Sequence, residues 1–273
     1  MRVDVALALG RTRGLARLDA QLLVAHTTGR TRAWLLGHGE AELDPQQAAR
    51  LAALIERRAA GEPLAYLVGE KEFHGLRLQV DARVLVPRPE TELLVDWALE
   101  LLRGDLGHLA RPNVVDLGTG SGAIALAVKQ AHPAAAVHAV DLSEGALTVA
   151  RGNATRLGLD VSFTPGPWWQ ALPGRRFDLA LANPPYIAAD DPHLDALGHE
   201  PSAALTPGTS GLEALAAIVA AAPAHMTADA WLLLEHGFDQ AEAVAQLLLA
   251  RGFRSVAARR DLAGHPRCTG AQL

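Results

Sequence analysis

The chain has 273 residues, of which 49% are hydrophobic and 20% are charged, and its formal net charge is -5. This balance predicts a folded protein with a sizeable core, and the length favours a main domain plus a smaller one. The negative charge excludes a diffuse attraction to phosphate backbones, so any nucleic-acid binding would need a local basic patch.

The N-terminal part of the chain carries a helical pattern. Apolar side chains recur at helical spacing, as at Leu15, Leu18 and Leu22. The dipeptide Asp44-Pro45 combines an N-cap residue with a proline suited to a first turn, which predicts the start of a further helix. We therefore expect a small all-helical domain over residues 1–72.

A strand-like pattern replaces the helical one after this domain. Leu76, Leu78 and Val80 alternate with other residues, and Asp81-Ala82 supplies turn residues. We expect a β-hairpin over residues 73–87 that links the helical domain to the rest of the chain.

The proline-rich segment Pro87–Glu92 precedes helical spacing at Leu94 and Trp97. Prolines and acidic residues at this place predict the first turn of a helix. Capping accounts for Glu90, and we interpret Arg88 as a surface salt-bridge partner. A weaker hypothesis is that these residues help to line the cofactor or substrate entrance.

Strands and helices alternate in the remaining residues, 88–273. The predicted strands are short apolar runs at Val114–Asp116, Ala136–Asp141, Val161–Phe163, Phe177–Leu181, Trp231–Leu234 and Phe253–Arg259. Helices are predicted at Ala123–Gln130 and Glu144–Leu157. This alternation predicts an α/β domain with a doubly wound, mostly parallel sheet.

A glycine-rich turn opens the first of these helices. Its residues follow the first strand directly and are Asp116, Gly118, Thr119, Gly120, Ser121 and Gly122. Glycines let the backbone turn tightly and approach a nucleotide-like cofactor. Together with Ala123 the turn also satisfies the dinucleotide pattern G-x-G-x-x-A, so a nicotinamide or flavin site is an alternative.

Two carboxylates indicate which cofactor the turn would hold. Asp141 ends the second strand, where a carboxylate can accept hydrogen bonds from both ribose hydroxyls, although a helix cap is the simpler role and Ser143 could fill it instead. Asp116 stands just before the first glycine, where it suits the cationic amino-acid end of S-adenosylmethionine better than a pyrophosphate. The pair favours methyl transfer.

The tetrapeptide Asn183-Pro184-Pro185-Tyr186 follows the predicted strand Phe177–Leu181, at the sheet edge where ligands bind in such folds. An amide nitrogen is a weak nucleophile, and two acceptors that hold both its N–H bonds aim its lone pair at a methyl donor. The Asn183 side-chain oxygen and the Pro184 carbonyl suit this role, and the prolines stiffen the loop. Tyr186 can pack on a planar substrate. We therefore predict catalytic roles for Asn183, Pro184 and Tyr186 and substrate contacts for all four residues.

These residues resemble those of the amino-methyltransferases that carry Asn, Asp or Ser, then Pro-Pro, then an aromatic residue. The whole chain is similar to the protein-glutamine branch called PrmC or HemK, from about Gly61 to Arg267. Six segments carry the resemblance: Gly61–Gly69, Phe73, Val86–Glu92, Asp116–Gly122, Asn183–Tyr186 and Leu234–Gly237. It implies a Rossmann-like class I methyltransferase domain, preceded by a helical domain that helps to hold the substrate.

The resemblance also implies a substrate and a cofactor. The substrate is the glutamine of the Gly-Gly-Gln loop in class I peptide chain release factors, and S-adenosylmethionine is converted to S-adenosylhomocysteine without a metal. Cofactor contacts are implied for Gly118–Gly122, Asp141, Trp168 and Asn183. Pro167 departs from the aspartate that is usual in the family, and since proline offers no side-chain acceptor, any contact of that aspartate with the adenine amino group is lost.

Other functions compete with this interpretation. A glutamine methyltransferase of a ribosomal protein shares the same loop, and a nucleic-acid adenine methyltransferase would hold a flipped base there, but no basic groove is visible. The intact Asn183 and Tyr186 argue against a non-enzymatic cofactor-binding adaptor. Glu235 and His236 look like a general-base pair, yet we interpret them as structural because the proton can leave after methyl transfer.

The cellular setting follows from three further features. A single cysteine, Cys268, excludes an internal disulfide and fits a reducing cytoplasm. The apolar run Val5–Leu9 is too short for a signal peptide, and the run Ala214–Ala222 is too short to span a bilayer. We expect a cytoplasmic monomer that contacts neither a membrane nor, directly, nucleic acid.

Overall fold

Two units divide the chain in the computed structural model, Met1–Glu70 and Lys71–Leu273, and all of residues 1–273 are described. The first unit consists of helices, which are α1 (Val3–Thr12), α2 (Arg17–Thr28), α3 (Arg32–Gly37), α4 (Pro45–Ala59) and α5 (Leu64–Val68). Buried aliphatic residues of these helices, such as Leu23 and Ile55, form an apolar core within the unit. The helical character predicted for the N-terminal part is therefore confirmed.

The start of α4 shows how the local sequence sets a helix boundary. The Asp44 carboxylate accepts a hydrogen bond from the Gln47 N–H at 2.8 Å, and the Gln47 side chain accepts one from the Asp44 N–H at 3.1 Å. This reciprocal capping box satisfies donors that the first helical turn would otherwise leave unpaired. Pro45 occupies the first turn, as its fixed φ angle favours.

A two-stranded hairpin follows, formed by β1 (Glu70–Phe73) and β2 (Leu76–Gln79). The hairpin turns at His74 and Gly75, which have φ angles of 47° and 77°. Asp81-Ala82 instead belongs to a separate turn beyond β2, in which the Val84 N–H donates to the Asp81 carbonyl at 3.1 Å. The sequence showed only β2, because β1 carries three charged residues and buries only Phe73.

The second unit adds the α/β elements. In chain order they are α6 (Glu92–Arg103), β3 (Asn113–Leu117), α7 (Ala123–Ala131), β4 (Ala136–Asp141), α8 (Glu144–Leu157), β5 (Ser162–Pro165), β6 (Phe177–Ala182), α9 (Glu213–His225), β7 (Met226–Glu235), α10 (Ala241–Ala250), β8 (Arg254–Arg260) and β9 (Pro266–Gln272). The strands form one seven-stranded sheet in the order β5-β4-β3-β6-β7-β9-β8. The doubly wound, mostly parallel α/β fold is confirmed.

The sheet is covered on both faces. One apolar cluster joins it to α6, α7 and α8, and a second joins the other face to α9 and α10. The first five strands are parallel, whereas β9 runs antiparallel between β7 and β8. The sequence did not predict β9.

The register of the parallel strands places the functional motifs at one edge. Leu117 at the end of β3 pairs with Val140 on one side and with Ala182 on the other, and Ala182 pairs with Leu234. The residues that follow these positions therefore lie next to one another at the carboxyl ends of the strands, where open α/β sheets bind ligands.

Candidate active site

The glycine-rich turn is held against the end of β4. The N–H groups of Gly118 and Thr119 both donate to the Val140 carbonyl, at 2.8 and 2.9 Å. Gly118 has a φ angle of 79°, and a Cβ atom on it would lie 2.9 Å from the ring of Trp168. Glycine is needed here both for its conformation and for the close approach of the tryptophan.

A cavity of about 320 Å³ lies beside this turn, within the size range of small-molecule sites. Eight of the predicted site residues line it: Gly118, Thr119, Gly120, Ser121, Asp141, Trp168, Asn183 and Pro185. Four others lie outside the lining: Asp116, Gly122, Pro184 and Tyr186. The structure thus brings the glycine turn and the Asn183 loop to the same cavity.

Gly122 has a packing role. It has a φ angle of 86° and precedes α7, and a Cβ atom on it would lie 3.0 Å from Leu126 and 3.3 Å from Ala150. The position therefore allows α7 and α8 to pack closely behind the turn.

Asp141 projects from the end of β4 and binds the turn. Its Oδ2 accepts from the Gly120 N–H at 2.8 Å, and its Oδ1 accepts from the Ser143 N–H at 2.8 Å. Burial raises the pKa of this carboxyl, against the opposing effect of these backbone donors. Ser143 caps α8, because its hydroxyl accepts from the Ala146 N–H at 3.1 Å.

Asp116 is 1% exposed and lies behind the turn. Its Oδ2 accepts from the Thr119 hydroxyl at 2.6 Å and from the Ala125 N–H at 3.2 Å, whereas its Oδ1 is buried without a hydrogen-bond partner. Burial raises the pKa of this carboxyl to about 7, although both hydrogen bonds lower it. Its Oδ1 is therefore a buried acceptor without a donor, in a residue that does not itself line the cavity.

The two adjacent tryptophans have different environments. Trp169 is 1% exposed and donates through Nε1 to the Ile218 carbonyl at 2.9 Å, so it belongs to the core. Trp168 lines the cavity and has a φ angle of 43°, in the left-handed region that a bulky residue rarely adopts. Strain of this kind is stored where a side chain is held for a function.

The Asn183–Tyr186 loop is held by polar contacts at both ends. Asn183 donates through Nδ2 to the Thr91 hydroxyl oxygen at 3.1 Å, and the Tyr186 hydroxyl donates to Glu235 Oε1 at 3.3 Å. Burial and the neighbouring Glu235 carboxylate raise the pKa of the Tyr186 phenol above its ordinary range. Tyr186 therefore stays protonated and serves as a donor at neutral pH.

Arg88 was interpreted as a surface salt-bridge partner, and it does form an ion pair, but with a buried carboxylate. Its guanidinium binds Glu200, whose side chain is 3% exposed and which also accepts from the Val86 N–H at 3.0 Å. This contact places Pro201, which lines the cavity, next to the 86–88 segment. The sequence did not indicate the pair, because 112 residues separate its members.

The Glu235-His236 pair divides into two environments. His236 is fully buried between the Gly237 carbonyl and the Thr269 hydroxyl, each 2.8 Å from a ring nitrogen, and burial lowers its pKa. Glu235 instead contacts the Asn183–Tyr186 loop through Tyr186. The structure contains no group of three or more His, Cys, Asp or Glu side chains placed to hold a metal ion. None of its helices is both long and apolar enough to cross a bilayer.

Comparison with known proteins agrees with this geometry. The methyltransferase small domain family matches residues 92–246, and the PrmC N-terminal domain family matches residues 6–69. A release factor glutamine methyltransferase of Bordetella pertussis is 49% identical over 95% of this chain and 96% of its own length. One of Xylella fastidiosa is 46% identical over 98% of both chains. The chain belongs to the release factor glutamine methyltransferase family.

The fold of this family member also resembles distant methyltransferases. A solved structure of a methyltransferase from Pyrococcus furiosus superposes with a TM-score of 0.53 and 17% identity, over 83% of this chain and 97% of that one. Similarity at this level concerns the fold alone. The Rossmann-like sheet and the helical N-terminal region are the architecture that the resemblance implied. The family resemblance inferred from the sequence motifs is confirmed.

Proposed function

We propose that the chain transfers a methyl group from S-adenosylmethionine to the side-chain amide nitrogen of the glutamine in the Gly-Gly-Gln loop of class I peptide chain release factors. Membership of the family supports both the reaction and the substrate. The structural observation that carries the proposal is the orientation of Asn183. This residue lines the cavity and donates through Nδ2 to Thr91, so its Oδ1 remains available to accept from a substrate amide.

The chemistry of the cavity fits S-adenosylmethionine. Gly118 presents bare backbone to the cavity, and Leu142, which is 72% exposed, and Trp168 offer apolar surface for an adenine ring. Asp141 has the acceptor oxygens that ribose hydroxyls need, and the unpartnered Oδ1 of Asp116 suits a cationic amino group. We assign cofactor contacts to these residues, to Asn183 and to the remainder of the 118–122 turn.

The residues of the loop account for the chemistry. When bound, S-adenosylmethionine supplies an electrophilic methyl group on a sulfonium. Asn183 Oδ1 and the Pro184 carbonyl hold the two N–H bonds of the glutamine amide, which turns its nitrogen lone pair toward that methyl group. The nitrogen held in this way would take the methyl group, and because one amide proton would leave only afterwards, no side chain of the loop would have to act as a base. Pro185 stiffens the loop, and the Tyr186 ring packs on the planar amide.

Replacement of Asp141 by alanine should raise the Kd for S-adenosylmethionine about 10-fold or more, because two charge-assisted acceptors are lost. Isothermal titration calorimetry measures this directly. Asp160→Ala is the matched control, since Asp160 is an exposed aspartate outside the cavity, and its Kd should equal that of the wild type. Equal affinity of the Asp141 variant and the wild type would contradict the assignment.

Methyl transfer to an unmethylated class I release factor tests the function as a whole. Radiolabel from S-adenosylmethionine should appear in the intact factor and be absent from a variant whose Gly-Gly-Gln glutamine is alanine. Label that persists in the variant would point to another acceptor. No label, with cofactor binding intact, would favour a ribosomal-protein or nucleic-acid substrate.

We also propose that residues 73–87 link a helical domain, 1–72, to a methyltransferase domain over 88–273, and that the enzyme acts as a cytoplasmic monomer.

We further propose that residues 1–72 help to hold the release factor. In support of this role, the first unit exposes Leu18 and Leu36 beside Arg17 and Arg32, which suits a protein partner. The intact factor should then show a much lower KM than a short Gly-Gly-Gln peptide. Equal KM values would contradict a role for this surface.

A further inference from the structure

A partly buried chain of polar contacts joins the two ends of the Asn183–Tyr186 loop. Asn183 donates through Nδ2 to the Thr91 hydroxyl oxygen at 3.1 Å. The Thr91 hydroxyl lies near the Glu235 carboxylate and lowers its pKa. The Tyr186 hydroxyl donates to the same carboxylate at 3.3 Å.

The protons on these side chains determine which group donates and which accepts in each contact. An ionised carboxylate only accepts hydrogen bonds, and a threonine hydroxyl has one proton to donate. Above its raised pKa of about 7, Glu235 is ionised and can only accept. With the Thr91 proton directed to it, the Thr91 oxygen is left to accept, as the Asn183 Nδ2 contact shows. The amide oxygen of Asn183 must therefore face away from Thr91, and Asn183 lines the cavity.

Neither Thr91 nor Glu235 has an evident structural role that explains its burial. Thr91 is 4% exposed and stands at the N-cap position of α6, yet its side chain makes no capping hydrogen bond. Glu235 is 1% exposed, its Oε2 has no hydrogen-bond partner, and burial raises its pKa to about 7. A buried carboxyl with an unpaired oxygen costs stability, and an apolar side chain would fill this space without that cost.

We propose that Thr91 and Glu235 are positioning residues that hold the Asn183 amide with its oxygen toward the substrate nitrogen. Both act through Asn183; Thr91 also lines the cavity, whereas Glu235 does not. The inference rests on the proposed function, since it explains how the acceptor required for amide methylation is oriented.

Two substitutions of Thr91 separate its hydroxyl from its shape. Thr91→Val keeps the shape and removes the hydroxyl, so Asn183 can rotate, and kcat should fall about 10-fold with unchanged KM for the release factor. Thr91→Ser keeps the hydroxyl and should retain kcat within about 2-fold. A valine variant as fast as the wild type, or a serine variant as slow as the valine variant, would overturn the inference.

Glu235→Gln tests the order of donors and acceptors from Glu235 through Thr91 to Asn183. Glutamine has nearly the same shape, but its NH₂ group can donate to Thr91, which frees the Thr91 proton for the Asn183 oxygen and allows the amide to turn around. We expect kcat to fall about 10-fold. The side chains that face this position and influence its charge are Tyr186, Arg267, Glu90 and Cys268, and all of them are retained in the variant.

The stability of Glu235→Gln shows whether its loss of kcat results merely from structural damage. The pKa of Glu235 is raised from an ordinary 4.5 to about 7 in the folded protein, so the folded state binds the proton more tightly, and stability is lost as the pH rises from about 4.5 to above 7. Because glutamine does not titrate, Glu235→Gln does not lose stability in this way as the pH rises. Its midpoint of urea denaturation, relative to the wild type, should therefore be higher at pH 8 than at pH 5. A variant that is less active and also less stable at pH 8 would overturn the positioning role.

A failure of the proposed function can be told apart from a failure of this inference. If the wild type does not methylate release factors, the function fails, whereas the orientation of Asn183 remains measurable by NMR of its side-chain amide in the cofactor-bound protein. Hydrogen exchange of that amide should be slow in the wild type and at least about 10-fold faster in Thr91→Val. Equal exchange rates would overturn the inference regardless of the substrate.

Discussion

The Asn183→Ala variant should lose methyl transfer almost completely, with kcat reduced on the order of 10²-fold to 10³-fold. The side-chain oxygen is one of the two acceptors proposed to hold the substrate amide, and removal of one preorganised group at a transition state has an effect of this size. The Nδ2 contact to Thr91 shows that the amide is oriented before substrate binds. A steady-state assay with the intact release factor measures the loss.

The control for this variant is Asn113→Ala. Asn113 is exposed and starts β3, at the opposite end of the strand from the glycine turn, so its side chain should not affect kcat. Asn183→Ala should bind S-adenosylmethionine with a Kd within a few-fold of the wild type, because the other cofactor contacts remain. A kcat within about 3-fold of the wild type would exclude the two-acceptor mechanism.

The parallel part of the sheet could be predicted because its signals are local. The strand β4 and the helix α8 have the predicted bounds, since an apolar run, a serine cap and a terminal glycine define them. The strand β9 was missed because its residues, Pro-Arg-Cys-Thr-Gly-Ala-Gln, show no apolar alternation. Its burial follows from tertiary packing: a Cβ atom on Gly270 would lie 2.6 Å from the Trp97 ring. Such a contact has no local signature.

Helix α9 illustrates a related limit. A proline inside a helix removes a backbone hydrogen bond and usually ends the helix, yet α9 continues through Pro223 to His225. Packing of α9 against the sheet, with Leu215 and Ile218 fully buried, outweighs the local cost of the proline. Tertiary contacts decide here what propensity alone does not.

Some residues of the site could be predicted from the local sequence, and others could not. The glycine turn, Asp141 and Asn183 follow strands and could be predicted to share a sheet edge. The partners that orient them could not: Thr91 lies 92 residues from Asn183, and Glu235 lies 49 residues from Tyr186. The sequence around Thr91 indicated only the start of a helix, and Glu235 was interpreted as structural. Hydrogen bonds between distant residues require the three-dimensional arrangement.

Gly118→Ala should raise the Kd for S-adenosylmethionine about 10²-fold. The added Cβ atom would lie 2.9 Å from the Trp168 ring, so either the tryptophan or the turn must move, and both line the cavity. The φ angle of 79° adds backbone strain of about 1 kcal/mol for any residue with a Cβ atom. Calorimetric titration of the cofactor, together with a denaturation curve, separates binding from stability.

Gly158→Ala is the control that shows how much stability is lost through backbone strain alone. Gly158 ends α8 with a φ angle of 67°, and nothing lies within 4 Å of the position that its Cβ would take. Gly118→Ala should therefore lose at least the roughly 1 kcal/mol of stability that Gly158→Ala loses to strain, and only Gly118→Ala should lose cofactor affinity. If the two variants bound the cofactor equally well, the approach of Trp168 to the glycine turn would have no part in binding, and the cofactor would have to lie elsewhere in the cavity.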